Sequence, residues 1–128
     1  NATKLTMNST GQTTIVGEGG TTTTSVQQGL VKSWVNATQI ESESVRDSLN
    51  VASITDNSTG DNAYNFTSVM ANADYAVLLA GWRDHDSFYG SADNQITTGA
   101  FKARSYTRDT TNLVDTETIW GGVTGDLA

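Results

Sequence analysis

The stretch Asp74-Tyr75-Ala76-Val77-Leu78-Leu79-Ala80-Gly81-Trp82 is almost continuously apolar, in a chain otherwise rich in Thr, Ser, Asn and Gly. It limits the fold more than any other segment. At nine residues it is far short of the ~20 needed to span a membrane as a helix. Read as a strand, it places Tyr75, Val77 and Leu79 on one face and Ala76, Leu78, Ala80 and Trp82 on the other, so both faces are hydrophobic. Such a strand is expected at the centre of a sheet, covered on both sides, in the middle of the core.

The neighbouring text reads as further strands. Asn50–Thr55 and Ala63–Ser68 are β-rich runs on either side of Asp56–Asn62, a loop of Asp, Asn, Ser and Gly. They predict a hairpin with Gly60 in the left-handed region. The preceding Glu41–Ser48 either extends that strand or forms an exposed loop. In Gly29–Asn36, Val26, Leu30 and Trp34 recur at helical spacing, but the density of β-branched residues favours a strand after a short helical turn. Ala100–Arg108 and Thr116–Thr124 are each of strand length. From Asn1 to about Gln28, short alternating pieces are broken by Gly11, Gly17, Gly19 and Gly20, with too few large apolar groups to form a core alone. The expectation is an all-β chain: a short stalk-like segment over 1–29, then an antiparallel β-sandwich, jelly-roll-like, over 30–128.

Composition narrows the function. At 128 residues the chain is one domain's worth. It contains no Cys, which excludes disulfides and thiolate metal sites, and no Pro to blunt strand edges. The net charge of −7 argues against a nucleic-acid partner, because phosphate binding needs a surplus of Lys and Arg. No membrane insertion is expected, and the first residues lack the basic and apolar regions of a signal peptide.

Chemically distinctive residues concentrate after the apolar run. Gly81–Gly90 holds Trp82, Arg83, Asp84, His85, Asp86 and Tyr89, with Asp93 and Asn94 just beyond. A zinc site needs about four ligands with His or Cys among them, and the chain has one His; calcium would need a spacing of oxygen ligands that is missing. No metal or cofactor is expected. A glycosidase needs two facing carboxylates, one kept protonated by its surroundings, but Glu41, Glu43, Asp84, Asp86 and Asp93 all sit in polar text with nothing to raise a carboxyl pKa. No Gly-x-Ser-x-Gly elbow accompanies His85. The set suits ligand contact instead, with flat aromatic faces, planar polar groups, and glycines that let a ligand approach the backbone.

A second candidate surface is the basic stripe. In Phe101–Arg108, alternation puts Lys102, Arg104, Tyr106 and Arg108 on one face and Phe101, Ala103 and Ser105 on the other. The positive face either pairs with acidic neighbours such as Asp115 and Glu117 or meets anionic groups on a ligand.

Two stretches resemble known proteins. Gly17–Asn36 (GEGGTTTTSVQQGLVKSWVN) is similar to text that ends the stalk in tail fibres of tailed bacteriophages. Arg46–Asp61 (RDSLNVASITDNSTGD), followed by Asn65-Phe66-Thr67 and Asn72–Val77, resembles a pattern of phage and prophage fibre tips, of marine phages especially. The likeness spans roughly residues 13–78 and departs at Ser58, where Gly is usual, and over Thr38–Ser44. It implies a homotrimeric fibre end, with 1–29 as stalk and trimerisation segment, located at the tip of the virion's tail fibre. Its partner would be a bacterial surface glycan or outer-membrane protein. The expected function is therefore non-enzymatic host attachment through Trp82–Asn94 and the basic strand face, with a polysaccharide depolymerase or a purely structural fibre segment as alternatives.

Overall fold

The computed structural model describes residues 14–16, 23–40, 42–82, 87–90, 96–107 and 112–125. The chain is all-β. Strands β1 (Thr14–Val16) and β2 (Thr23–Ser25) pair antiparallel as a small sheet, and a single helical turn, α1 (Val26–Gly29), leads into β3 (Val31–Thr38). The short turn followed by a strand matches the reading of that ambiguous segment. The remaining strands are β4 (Ser44–Leu49), β5 (Val51–Ser58), β6 (Asp61–Phe66), β7 (Ala76–Trp82), β8 (Ser87–Gly90), β9 (Ala100–Thr107) and β10 (Thr118–Thr124). They form two antiparallel four-stranded sheets, ordered β4-β3-β10-β7 and β5-β6-β9-β8.

The inward faces of the two sheets make the core. Val35, Ala37, Ile119 and Val123 of the first sheet pack with Tyr64, Phe66, Phe101 and Ala103 of the second, all buried. Tyr64 and Phe101 sit opposite each other on β6 and β9 and stack with ring centroids 5.0 Å apart. Met70 and Tyr75, from the connection between β6 and β7, complete the cluster; Tyr75 meets Phe66 edge-on at 5.8 Å. Its hydroxyl lies 2.8 Å from the carbonyl oxygens of both Thr97 and Ala100 and donates to them, tying that connection to the entry of β9. Each large side chain buried in this way contributes about 1.5–3 kcal/mol.

Two residues with positive φ make the sharp reversals. Asn50 (φ 58°) alone separates β4 from β5 and carries the chain from one sheet to the other. Asn tolerates this conformation because its short side chain bonds locally. Here its Oδ1 accepts from the Ser68 amide at 2.7 Å and its Nδ2 donates to the Ser68 carbonyl at 3.0 Å. Gly60 (φ 67°) closes the β5–β6 hairpin, as its position predicts. The hairpin is longer than expected: the strands run through most of the supposed loop and leave only Thr59 and Gly60 as the turn. Glu41–Ser48 is likewise neither an extension of β5 nor wholly a loop, since Ser44–Leu49 is a separate strand paired with β3 in the opposite sheet.

The apolar run requires the largest correction. β7 is not central: it is the edge strand of its sheet, bonded to β10 alone among the described strands. Its inward residues Val77 and Leu79 pack on the core, whereas Ala76, Leu78, Ala80 and Trp82 are exposed. Hydrophobicity on both faces here reflects an outward face left open to its surroundings, not a second covering layer.

Candidate functional site

The outer face of the β4-β3-β10-β7 sheet follows from parity. On β3, Ser33, Val35 and Ala37 point inward and are buried, which turns Trp34 and Asn36 outward; on β10, Ile119, Gly121 and Val123 point inward, which turns Trp120 and Gly122 outward. The register aligns the outward residues in rows across the sheet. One row runs Leu49, Trp34, Gly122, Leu78, and the next runs Asp47, Asn36, Trp120, Ala80. One row further on, Thr118 stands opposite Trp82.

All three tryptophans of the protein therefore share this face. They are 36% (Trp34), 45% (Trp120) and 54% (Trp82) exposed. Each is one strand over and two residues along from the last, so Trp34, Trp120 and Trp82 form a single diagonal whose steps are about 7–8 Å. Leu49 and Leu78 extend the apolar surface; Leu78 is 65% exposed. Gly121 and Gly122 serve opposite faces. A side chain at Gly121 would press on Phe101 and Val35, whereas the outer side of Gly122 has nothing within 4 Å of a Cβ position, which leaves an open floor between Trp34 and Leu78.

Polar groups frame the diagonal. Asp47 and Asn36 share the row of Trp120, and Arg46 is held by donating to the Thr118 hydroxyl at 2.7 Å and the Glu117 carbonyl at 2.8 Å. The Asn36 Oδ1 is enclosed and has no hydrogen-bond partner.

Of the residues expected from sequence, Trp82 lies at the end of this diagonal. Arg83, Asp84, His85, Asp86, Asp93, Asn94 and Arg108 lie outside the described residues, and Tyr89 is on β8, where the backbone pairs it with Ser105. Along β9 the alternation holds: Phe101, Ala103 and Ser105 are buried, and Lys102, Arg104 and Tyr106 are partly exposed. These residues and Tyr89 belong to the β5-β6-β9-β8 sheet, whereas Trp82 is on β7 of the other sheet, so the described residues of the first candidate are divided between the two sheets. The acidic partner of the basic strand is also different from the one expected. Arg104 donates to Asp61 at 2.7 Å because the β6–β9 register sets the two directly opposite, and this hydrogen bond raises the guanidinium pKa further. Asp115 instead accepts from the Gly60 amide at 2.6 Å, and Glu117 lends its carbonyl to Arg46.

A second concave feature was not expected. Gln39, Ser42, Glu43, Asp56, Thr59 and Asp115 line a polar cavity of about 470 Å³. A buried chain of side-chain hydrogen bonds leads to it from the core: Ser105 donates to Gln39 Oε1 at 2.8 Å, Gln39 donates to Asn62, and Asn62 donates to Glu43. Burial raises the Glu43 carboxyl pKa, opposed by the Asn62 hydrogen bond and reinforced by the negative charges of Asp56 and Asp115. The expectation that nothing here would raise a carboxyl pKa is thus corrected for Glu43. Long-range pairing, invisible in the local text, brings these groups together. Among the described residues no group of three or more His, Cys, Asp or Glu is placed to hold a metal ion.

The tryptophan diagonal could have been found from sequence only through parity. Trp34 and Trp120 each sit between two inward residues, Ser33 and Val35 in one case and Ile119 and Gly121 in the other. Comparison with protein-family models, curated proteins and solved structures finds no match to this chain.

Proposed function

We propose that this chain is a non-enzymatic attachment domain at the distal end of a trimeric bacteriophage tail fibre, binding a glycan or protein on the bacterial surface. The observation that carries the reading is the diagonal of three exposed tryptophans on an otherwise well-packed sheet. Contiguous exposed apolar surface of this kind marks an interaction site, and tryptophan is the residue most enriched where binding energy concentrates. The similarity of residues 13–78 to fibre-tip text supports the same reading, with 1–29 as stalk and trimerisation segment and Arg83, which follows Trp82, beginning a contact segment that includes β8 and runs to Asn94.

The test is adsorption of the purified protein to a panel of bacteria, with its mass in solution measured alongside. A trimer that adsorbs, and whose Trp34→Ala/Trp120→Ala variant loses most of that adsorption while remaining folded, is the expected result. A folded protein that adsorbs to no bacterium overturns the attachment reading, and a monomer overturns the fibre architecture. If Trp82→Ala, Asp84→Ala and Tyr89→Ala together leave adsorption unchanged, the loop is not part of the site.

The Glu43 cavity favours one alternative, cleavage of a surface polysaccharide. Glu43, whose carboxyl pKa is raised by burial, would serve as general acid with Asp56 or Asp115 as the second carboxylate. New reducing ends on incubation with host polysaccharide, abolished by Glu43→Gln, would establish that reading in place of the first.

A further inference from the structure

We infer that the tryptophan diagonal is a binding track for a linear, uncharged polysaccharide, an inference that rests on the attachment reading and names its ligand. Three features of the face argue for this occupant. The first is shape: the indoles are arrayed in a line across three strands, and the floor at Gly122 is open. A small molecule is held in a concave site that surrounds it. A straight row of separate aromatic platforms instead suits a chain whose successive rings each present an apolar C–H face to one indole.

The second is charge. Among the described residues the outward face carries Lys32, Arg46 and Asp47, a nearly balanced set, on a protein of net charge −7. A polyanionic sugar, a nucleic acid or an anionic lipid surface would be repelled overall and would find no cationic cluster here.

The third is the polar frame. A protein interface centred on three indoles would be apolar across its middle. Here Asn36 and Asp47 stand in the same row as Trp120. The exposed Asp47 carboxylate and the anchored Arg46 offer partners for hydroxyls along the chain.

The experiment is an array of purified bacterial surface polysaccharides, neutral and anionic, each also presented after periodate oxidation, which opens the sugar rings. It is probed with the wild-type protein and with Trp34→Ala, Trp120→Ala and Gly122→Val. A Cβ at this position meets nothing within 4 Å, and the valine methyl groups beyond it would obstruct the track. Expected is binding to one or more neutral polysaccharides, lost on oxidation, weakened about tenfold by each tryptophan substitution and abolished by Gly122→Val, with thermal unfolding unchanged by the last.

Binding confined to anionic glycans, or binding to neutral ones that Gly122→Val leaves intact, overturns the inference. Adsorption to cells that survives periodate treatment overturns it too, while leaving the attachment reading standing. Absence of adsorption to any bacterium removes that reading itself. Tryptophans shielded from acrylamide quenching in the absence of glycan would show that another copy covers the face.

Discussion

At the scale of single residues, backbone conformation and reach explain much of the structure. Gly60 combines a left-handed conformation with close approach: a Cβ there would stand 2.6 Å from the Val114 amide nitrogen and 2.7 Å from its carbonyl oxygen. Both obstacles are backbone and cannot swing aside. Gly60→Ala is therefore expected to cost at least about 2 kcal/mol, read as a lower denaturant midpoint with an unchanged slope. The glycine was legible as a turn residue from the Asp-, Asn- and Ser-rich text around it. Its closeness to Val114 was not, because that contact is made by a segment more than fifty residues away.

At the scale of elements, the corner between β4 and β5 joins the two sheets through one residue. Asn50 holds the reversal with its backbone and clasps the Ser68 backbone with its side chain. Separating these contributions gives an ordered prediction. Asn50→Gly keeps the conformation but removes two hydrogen bonds and should cost about 1–2 kcal/mol. Asn50→Ala loses the bonds and adds left-handed strain, and should cost about 1 kcal/mol more. Equal losses in chemical denaturation would mean the clasp contributes everything and the conformation nothing. Elements also account for the misplacement of β7. A run that is apolar on both faces is the pattern of a doubly covered strand, yet it equally describes an edge strand with one face on the core and one left open. Local periodicity reports how many faces are apolar. It carries no information on what covers them, which the exposure of Ala76, Leu78, Ala80 and Trp82 decides.

At the scale of the whole molecule, stability should depend on pH through the Glu43 cavity. Burial raises the Glu43 pKa, so the folded protein holds this proton more tightly than the unfolded chain. Its contribution to stability is present below the ordinary glutamate range and is lost as pH rises through the raised value. Glu43→Gln stays neutral throughout and can still accept from Asn62. Its thermal midpoint relative to wild type should rise as pH is raised across that window; a constant difference would show that Glu43 titrates alike in both states.

What the sequence determined by itself is what short-range alternation and turn chemistry can encode: an all-β chain, the β5–β6 hairpin with Gly60 at its turn, the helical turn before β3, and the half-buried β9 with Phe101, Ala103 and Ser105 inward. Tertiary structure alone decided the sheet order, the edge position of β7, the choice of Asp61 as partner for Arg104, and the assembly of Glu43, Asp56 and Asp115 around one cavity. It also decided that Trp34, Trp82 and Trp120, far apart in the chain, share one diagonal. The physical reason is common to all of these. Alternation assigns each residue a face within its own strand, but the neighbours on that face are set by register with strands distant in sequence, and register is fixed by burial of the whole core.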